Sequence, residues 1–227
     1  MHSVRSAAGG IKRIAAAACL SLSPFLAHAA DVYSQPFADT PAGGYYSSTL
    51  GDFLQYDDFV VGANSTVTSV SWWGVDISEL LPGSTINPTS FTVSIFADDG
   101  NNAPGTELSV ATIGNSGNAS VVGSLQGLSL FQYSGSLTTP FAAIAGTKYW
   151  IGITDPTDNG NWFWATGSGP NGSHFGIILG DASPLNDDMA FTLGGVTAAV
   201  PEPSSTALLL LGGLGVFCVR KRQQQRT

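Results

Sequence analysis

The chain has 227 residues, of which 43% are hydrophobic and only 11% charged, with 28 Gly and 12 Pro. That balance describes a turn-rich globular chain and excludes a disordered or a basic one. The formal net charge is −8, and between Ala30 and Val200 Lys148 stands alone against fifteen acids. Such a surface repels phosphate backbones and suits cations or neutral partners.

The first residues read as a signal peptide over 1–29. Arg5, Lys12 and Arg13 precede an apolar stretch at 14–26, and Ala27-His28-Ala29 supplies the small-x-small pattern that signal peptidase reads. Export with cleavage after Ala29 is the expectation. Cys19 raises the alternative of a lipoprotein, but Ala16-Ala17-Ala18 lacks the usual Leu three before the Cys. The other Cys, Cys218, lies in the terminal apolar segment, so a domain over 30–199 has no disulfide to form. It is long enough to bury an ordinary core without one.

Inside that domain, apolar residues recur with period two. Phe91, Val93 and Ile95 alternate with Thr92 and Ser94, and Tyr149, Ile151 and Ile153 alternate with Trp150, Gly152 and Thr154. Further strands are predicted at 53–61, 65–77, 107–113, 128–137, 161–166, 174–179 and 189–193, separated by Gly, Asn, Asp and Pro clusters. With no amphipathic helix between them to make parallel crossovers, the prediction is an all-β fold, an antiparallel β-sandwich of jelly-roll type. A parallel β-helix is the alternative, and no short repeat recurs to support it.

The pieces "DDFVV", "TVTSVSWWGVDI", "FTVSIFADDGNNAPGTEL", "LTTPFAAIAGTKYWIGI" and "NWFWATG", spread over residues 56–167, resemble in their order a module of secreted bacterial β-sandwich proteins. The resemblance implies a sandwich at the cell surface and defines no activity.

Two acidic loops are candidates for calcium. In "DPTDNG", Asp155, Thr157 and Asn159 stand at alternate positions before Gly160, like the first half of an EF-hand loop. The twelfth position is Thr166 where a bidentate Glu is wanted, so a hairpin turn is the favoured reading. In "ADDGNNAPG", Asp98, Asp99, Asn101 and Asn102 offer hard oxygen ligands, and they are also what a tight turn prefers.

Trp72, Trp73, Trp162 and Trp164 are candidate glycan contacts, because flat aromatic faces on a sheet can stack on sugar rings. Core packing is the favoured reading for any one of them. Neighbouring side chains point to opposite sheet faces, so one of Trp72 and Trp73 packs inward, and Trp162 and Trp164 share a face that Phe163 does not.

An enzyme is not expected. His174 is the one His beyond the signal region, and no zinc spacing or Gly-rich phosphate loop is present. Asp57-Asp58, Asp98-Asp99 and Asp187-Asp188 are adjacent acids that a strand would send to opposite faces, whereas a glycosidase needs two carboxylates in one cleft. Distant acids could still converge in the fold.

The C-terminal segment 200–227 is the most specific signal. Pro201-Glu202-Pro203 precedes thirteen apolar residues at 207–219, then Arg220-Lys221-Arg222. That run is about 20 Å long as a helix, short for a bilayer core of roughly 30 Å. The basic cluster resists translocation, and Pro201 and Pro203 favour an extended, accessible backbone. These three parts resemble the bacterial PEP-CTERM sorting signal. The resemblance implies a short transmembrane helix and an exosortase partner, a transpeptidase-like membrane enzyme that processes the signal near Pro-Glu-Pro. A plain C-terminal anchor is the competing reading.

The sequence therefore predicts an exported, non-catalytic surface or extracellular-matrix protein associated with exopolysaccharide. The alternatives are a carbohydrate-binding module using exposed Trp residues and a glycan hydrolase.

Overall fold

The computed structural model describes residues 30–49, 52–80, 88–115, 119–156 and 161–198. Among them run β1 (Ala30–Gln35), β2 (Gly44–Tyr46), β3 (Phe53–Val60), β4 (Ser65–Asp76), β5 (Ser90–Asp98), β6 (Pro104–Gly114) and β7 (Ala119–Leu125). They continue with β8 (Leu128–Ala143), β9 (Lys148–Thr154), β10 (Trp162–Gly167), β11 (Ser173–Ile178), β12 (Asp181–Asn186), β13 (Asp188–Met189) and β14 (Phe191–Thr197). A 3-10 turn at Ile77–Leu80 is the one helical element among the described residues.

These strands form two sheets. The larger has eight strands built around β4, which pairs with β14 along one side and β8 along the other. Beyond β14 lies β1, beyond β8 lies β7, and β10 joins the far end of β4 while pairing with β2 and β13. The smaller sheet has six strands in the order β12-β11-β3-β9-β5-β6. Every pairing between named strands is antiparallel; among the described residues the one parallel contact is an isolated bridge between Ser48 and Asp155. The expected antiparallel sandwich is thus present. The expected signal helix and C-terminal helix lie outside the described residues.

The core is the seam between the two inner faces. From the small sheet Phe59, Phe91, Val93, Ile95, Ile151 and Ile153 point inward, and from the large sheet Val67, Val70, Trp72, Tyr133, Trp162, Trp164, Phe191 and Leu193 meet them. The period-two spacing of these residues puts each on the buried side of its strand. Aromatic rings lock the seam edge to face, as where Phe91 meets Trp72 at 5.0 Å and Trp162 at 4.8 Å between ring centres.

Four strands escape the sequence pattern: β1, β2, β7 and β12. Two of them end in two-residue turns whose residues both have positive φ: Gln126 (52°) with Gly127 (85°) between β7 and β8, and Leu179 (53°) with Gly180 (88°) between β11 and β12. These are hairpin turns of type I′, which Asn-Gly or Asp-Gly normally announces. Here Gln and Leu occupy the first position, so the signal is muted.

Two predictions follow from backbone geometry. Leu179 is held in the left-handed region with its side chain 71% exposed. Leu179→Asn should therefore raise stability by about 0.5–1 kcal/mol, read from the urea midpoint. At Gly135 of β8 a β-carbon would lie 2.2 Å from Ile113 Cγ2 of β6, because this Gly lets the two strands close the corner of the sandwich. Gly135→Ala should cost about 1–3 kcal/mol, and Ile113→Ala, which removes Cγ2, should cost less in that background than in the unaltered protein.

Candidate functional site

The strongest concentration of polar groups in the interior sits where β1, β3, the loop 168–173 and β13 meet. Asp57 on β3 and Asp188 on β13 are both buried, while their sequence neighbours Asp58 and Asp187 are partly exposed. Asp57 accepts backbone N–H groups from Asp58 at 2.8 Å and from Met189. Asp188 accepts from Gly172 at 3.0 Å and Ser173 at 3.3 Å. Asp57 thus ties β3 of the small sheet to β13 of the large one, and Asp188 ties β13 to the start of β11.

Gln35, at the end of β1, is fully buried in the same place, and neither its amide oxygen nor its nitrogen meets a partner among the described residues. A β-carbon on Gly169 would lie 1.9 Å from Gln35 Nε2 and 2.6 Å from Asp188 Oδ2. Glycine there is what allows both side chains to converge on the loop.

Burial governs the protonation of this cluster. It pushes the Asp57 carboxyl well above the usual Asp range, with the Met189 N–H opposing and the Asp188 and Asp58 charges adding to the rise. Asp188 is raised for the same first reason, against the N–H groups of Gly172, Ser173 and Gly169. His174 is adjacent: its Nδ1 donates to Asp187 O at 2.8 Å, and Nε2 stands 3.2 Å from Gln55 Oε1. Burial lowers the His174 pKa, against the backbone bonds of Asp187 and Asn186 and the charges of Asp187 and Asp188. The ring packs edge-on against Tyr45 at 4.4 Å.

Asp57 and Asp188 show that acids far apart in sequence do converge here. Neither lines either of two surface clefts formed by described residues. One cleft, about 190 Å³, lies on the outer face of the large sheet between Val75, Ile77, Leu125, Leu128 and Phe163. The other, about 290 Å³, lies beside Asn64, Ile144 and Val196.

The residues singled out in sequence fall as follows. Trp72, Trp162 and Trp164 are in the core, with Trp164 Nε1 donating to Ala190 O at 2.8 Å. These three take the core packing that the sequence favours for any one of them, and a buried ring leaves no face for a sugar. Trp73 points the other way, half-buried beside Val75, Leu130 and Ala165. Asp99 Oδ1 accepts the N–H groups of Asn101 at 2.7 Å and Ala103 at 3.1 Å, and Asp98 accepts from Gly100 N at 3.0 Å and Trp150 Nε1 at 2.8 Å. The carboxylates of this loop thus serve its turn and the Trp150 indole. Asp155 is buried, its N–H donating to Ser47 O at 3.1 Å. Thr157 and Asn159 lie outside the described residues, as do Pro201, Glu202, Pro203, Arg220, Lys221 and Arg222. Among the described residues no group of three His, Cys, Asp or Glu is placed to hold a metal.

Lys148, the lone base of the domain, bridges to Asp58 at 3.2 Å, donates to Asn102 Oδ1 and lies 5.4 Å from the centre of the Trp150 ring. It neutralises the exposed member of the Asp57-Asp58 pair and leaves the buried one to its N–H donors.

Fold and site together describe an antiparallel β-sandwich whose last described strand, β14, ends at Thr197. Residues 199–223, immediately after it, match the PEP-CTERM protein-sorting motif. The chain therefore carries a signal for export through the membrane to the cell envelope or beyond, with anchoring in the membrane before processing by exosortase. No curated protein matches the chain.

The raised Asp57 pKa has a definite sign. An acid whose folded value lies above its unfolded value favours the fold at low pH, and that contribution is lost as pH rises through the folded value. His174 works the other way, weakening the fold as pH falls through its ordinary value of 6.5. Comparison with Asp57→Asn separates the two. Between neutral pH and about pH 5 the urea midpoint of the unaltered protein should rise relative to that of the variant.

Proposed function

We propose that this chain is a non-catalytic protein of the bacterial cell surface or extracellular matrix, delivered through its C-terminal signal into an exopolysaccharide-rich layer. The observation that carries the reading is the sorting motif at 199–223 set directly behind the last described strand of the sandwich. The jelly-roll-type domain is its cargo.

Three features support the non-catalytic part. The converging acids, Asp57 and Asp188, are buried and bonded to backbone N–H groups that join the two sheets. His174 is bonded to a backbone carbonyl and packed against Tyr45. The acidic turn at Asp98 and Asp99 spends its oxygens on its own backbone and on Trp150, although calcium remains a ligand such oxygens can take from the medium.

The arrangement of the termini suits a processed anchor. Ala30 on β1 lies opposite Gly195 on β14, so the residue that would follow signal cleavage and the strand leading to the tail share one edge of the large sheet. Removal of either flanking segment leaves both strands in their ladder.

The test is the intact mass of the protein recovered from envelope or medium, compared with a strain lacking the processing enzyme. We expect a mass ending near Pro203 in the first and one running to Thr227 in the second, with Pro201→Ala/Pro203→Ala reproducing the unprocessed mass. A mass reaching Thr227 in both strains would make the tail a permanent anchor and overturn the sorting role.

A further inference from the structure

From Leu108 to Thr147 the chain contains no Asp, Glu, Lys, Arg or His, although the domain around it holds fifteen acids. The fold gathers this stretch into β6, β7 and β8 at one corner of the sandwich. There β6 packs against β8, and each sheet ends: among the described residues β6 pairs only with β5, and β7 only with β8.

Both edges present apolar side chains to solvent. Val121 and Val122 on β7 are 61% and 47% exposed, and Leu108 and Val110 on β6 are 48% and 54% exposed. An unpaired strand with β-branched side chains and no charge is the template for another strand, which is why natural edges carry charges, Pro or bulges. The opposite edges of this molecule do so. On the small sheet β12 has Asp181 and Pro184, and on the large sheet β1 has Asp31 and a register shift between Asp31 and Tyr33. At the corner β6 keeps Pro104, Glu107 and two register shifts against β5 near its start, whereas β7 has no charge and no Pro and a single register shift between Val121 and Gly123.

We infer that β7 is a self-association edge, which pairs antiparallel with β7 of a second copy across a two-fold axis and joins two large sheets into one. Charge selects the occupant. Two copies with this excess of acids repel each other across acidic surfaces, and the neutral corner is where they approach without that repulsion. An identical antiparallel strand supplies the matching alternation of donors and acceptors, and a two-fold axis at Val122 packs that side chain on its counterpart. Aliphatic residues without flanking carboxylates or stacking rings suit a protein edge better than a sugar. The nearest acid on the adjoining turn, Glu79, is occupied by the N–H and hydroxyl of Ser129 at 2.8 and 2.9 Å.

This deepens the matrix reading and rests on it: assembly would begin once the protein is released and concentrated. The experiment is sedimentation velocity on the protein recovered from producing cells, over a concentration series at low and high salt. We expect a monomer–dimer equilibrium that high salt maintains or strengthens, because screening relieves the repulsion between acidic surfaces. Val121→Lys/Val122→Lys, placing like charges on facing strands, should weaken dimerisation by at least about tenfold. Leu179→Asn, at the other end of the small sheet, should leave it unchanged. As a second measurement Val122→Cys, close to the two-fold axis, should cross-link to its own copy under mild oxidation, and Leu179→Cys should not. A protein that stays monomeric throughout, or a dimer indifferent to the lysines and not cross-linked through Val122→Cys, overturns the inference. If its tail is still cut near Pro203, the sorting role survives that failure.

Discussion

The structure depends on the aromatic and aliphatic seam between its two sheets. With no disulfide available between residues 30 and 198 and one ion pair formed by its lone Lys, the domain has burial as its main source of stability. Trp72, Phe91, Tyr133 and Trp162 form one ring cluster, and Tyr33, Phe59, Tyr149 and Phe191 a second. Since β4 contributes Val67, Val70 and Trp72 and pairs on both sides, its alternation sets the register of β14 and β8 as well. A slip of one residue would turn those side chains outward and empty the core.

Against this apolar seam, the buried acids carry a cost. Asp57 and Asp188 face a low-dielectric interior in which the nearby base, Lys148, is engaged with Asp58. Backbone N–H groups take the place of counter-charges, and the raised pKa values measure how incompletely they do so. The bonds from Met189, Gly172 and Ser173 make the cluster a structural clasp between sheets. Its reliance on Gly169, which leaves room for Gln35 and Asp188, shows how closely that clasp is packed.

Much of the fold was legible in the chain because half-buried strands alternate. The strands predicted at 53–61, 65–77 and 149–154 match β3, β4 and β9 to within a residue at each end. Of the four strands that escaped, β7 and β12 have mostly exposed residues that show no alternation, and their turns use Gln126 and Leu179 where Asn or Asp would have announced them. The clasp escaped for a different reason. The sequence showed that the members of Asp57-Asp58 and of Asp187-Asp188 would point to opposite faces of a strand, but nothing in their spacing showed that Asp57 and Asp188 would meet.

The sequence by itself determined the destination of the protein and the class of its fold. A sorting signal is a linear object, read as Pro-Glu-Pro, a short apolar run and a basic end, and strand alternation is a local one. Only the tertiary structure decided what the conspicuous residues do. Trp72, Trp162 and Trp164 became core, the acids of the 98–99 turn became caps, and a charge-free stretch became the exposed corner where each sheet ends. Burial and convergence depend on which strands lie side by side, and that is fixed by contacts between residues more than a hundred positions apart, such as Asp57 with Met189.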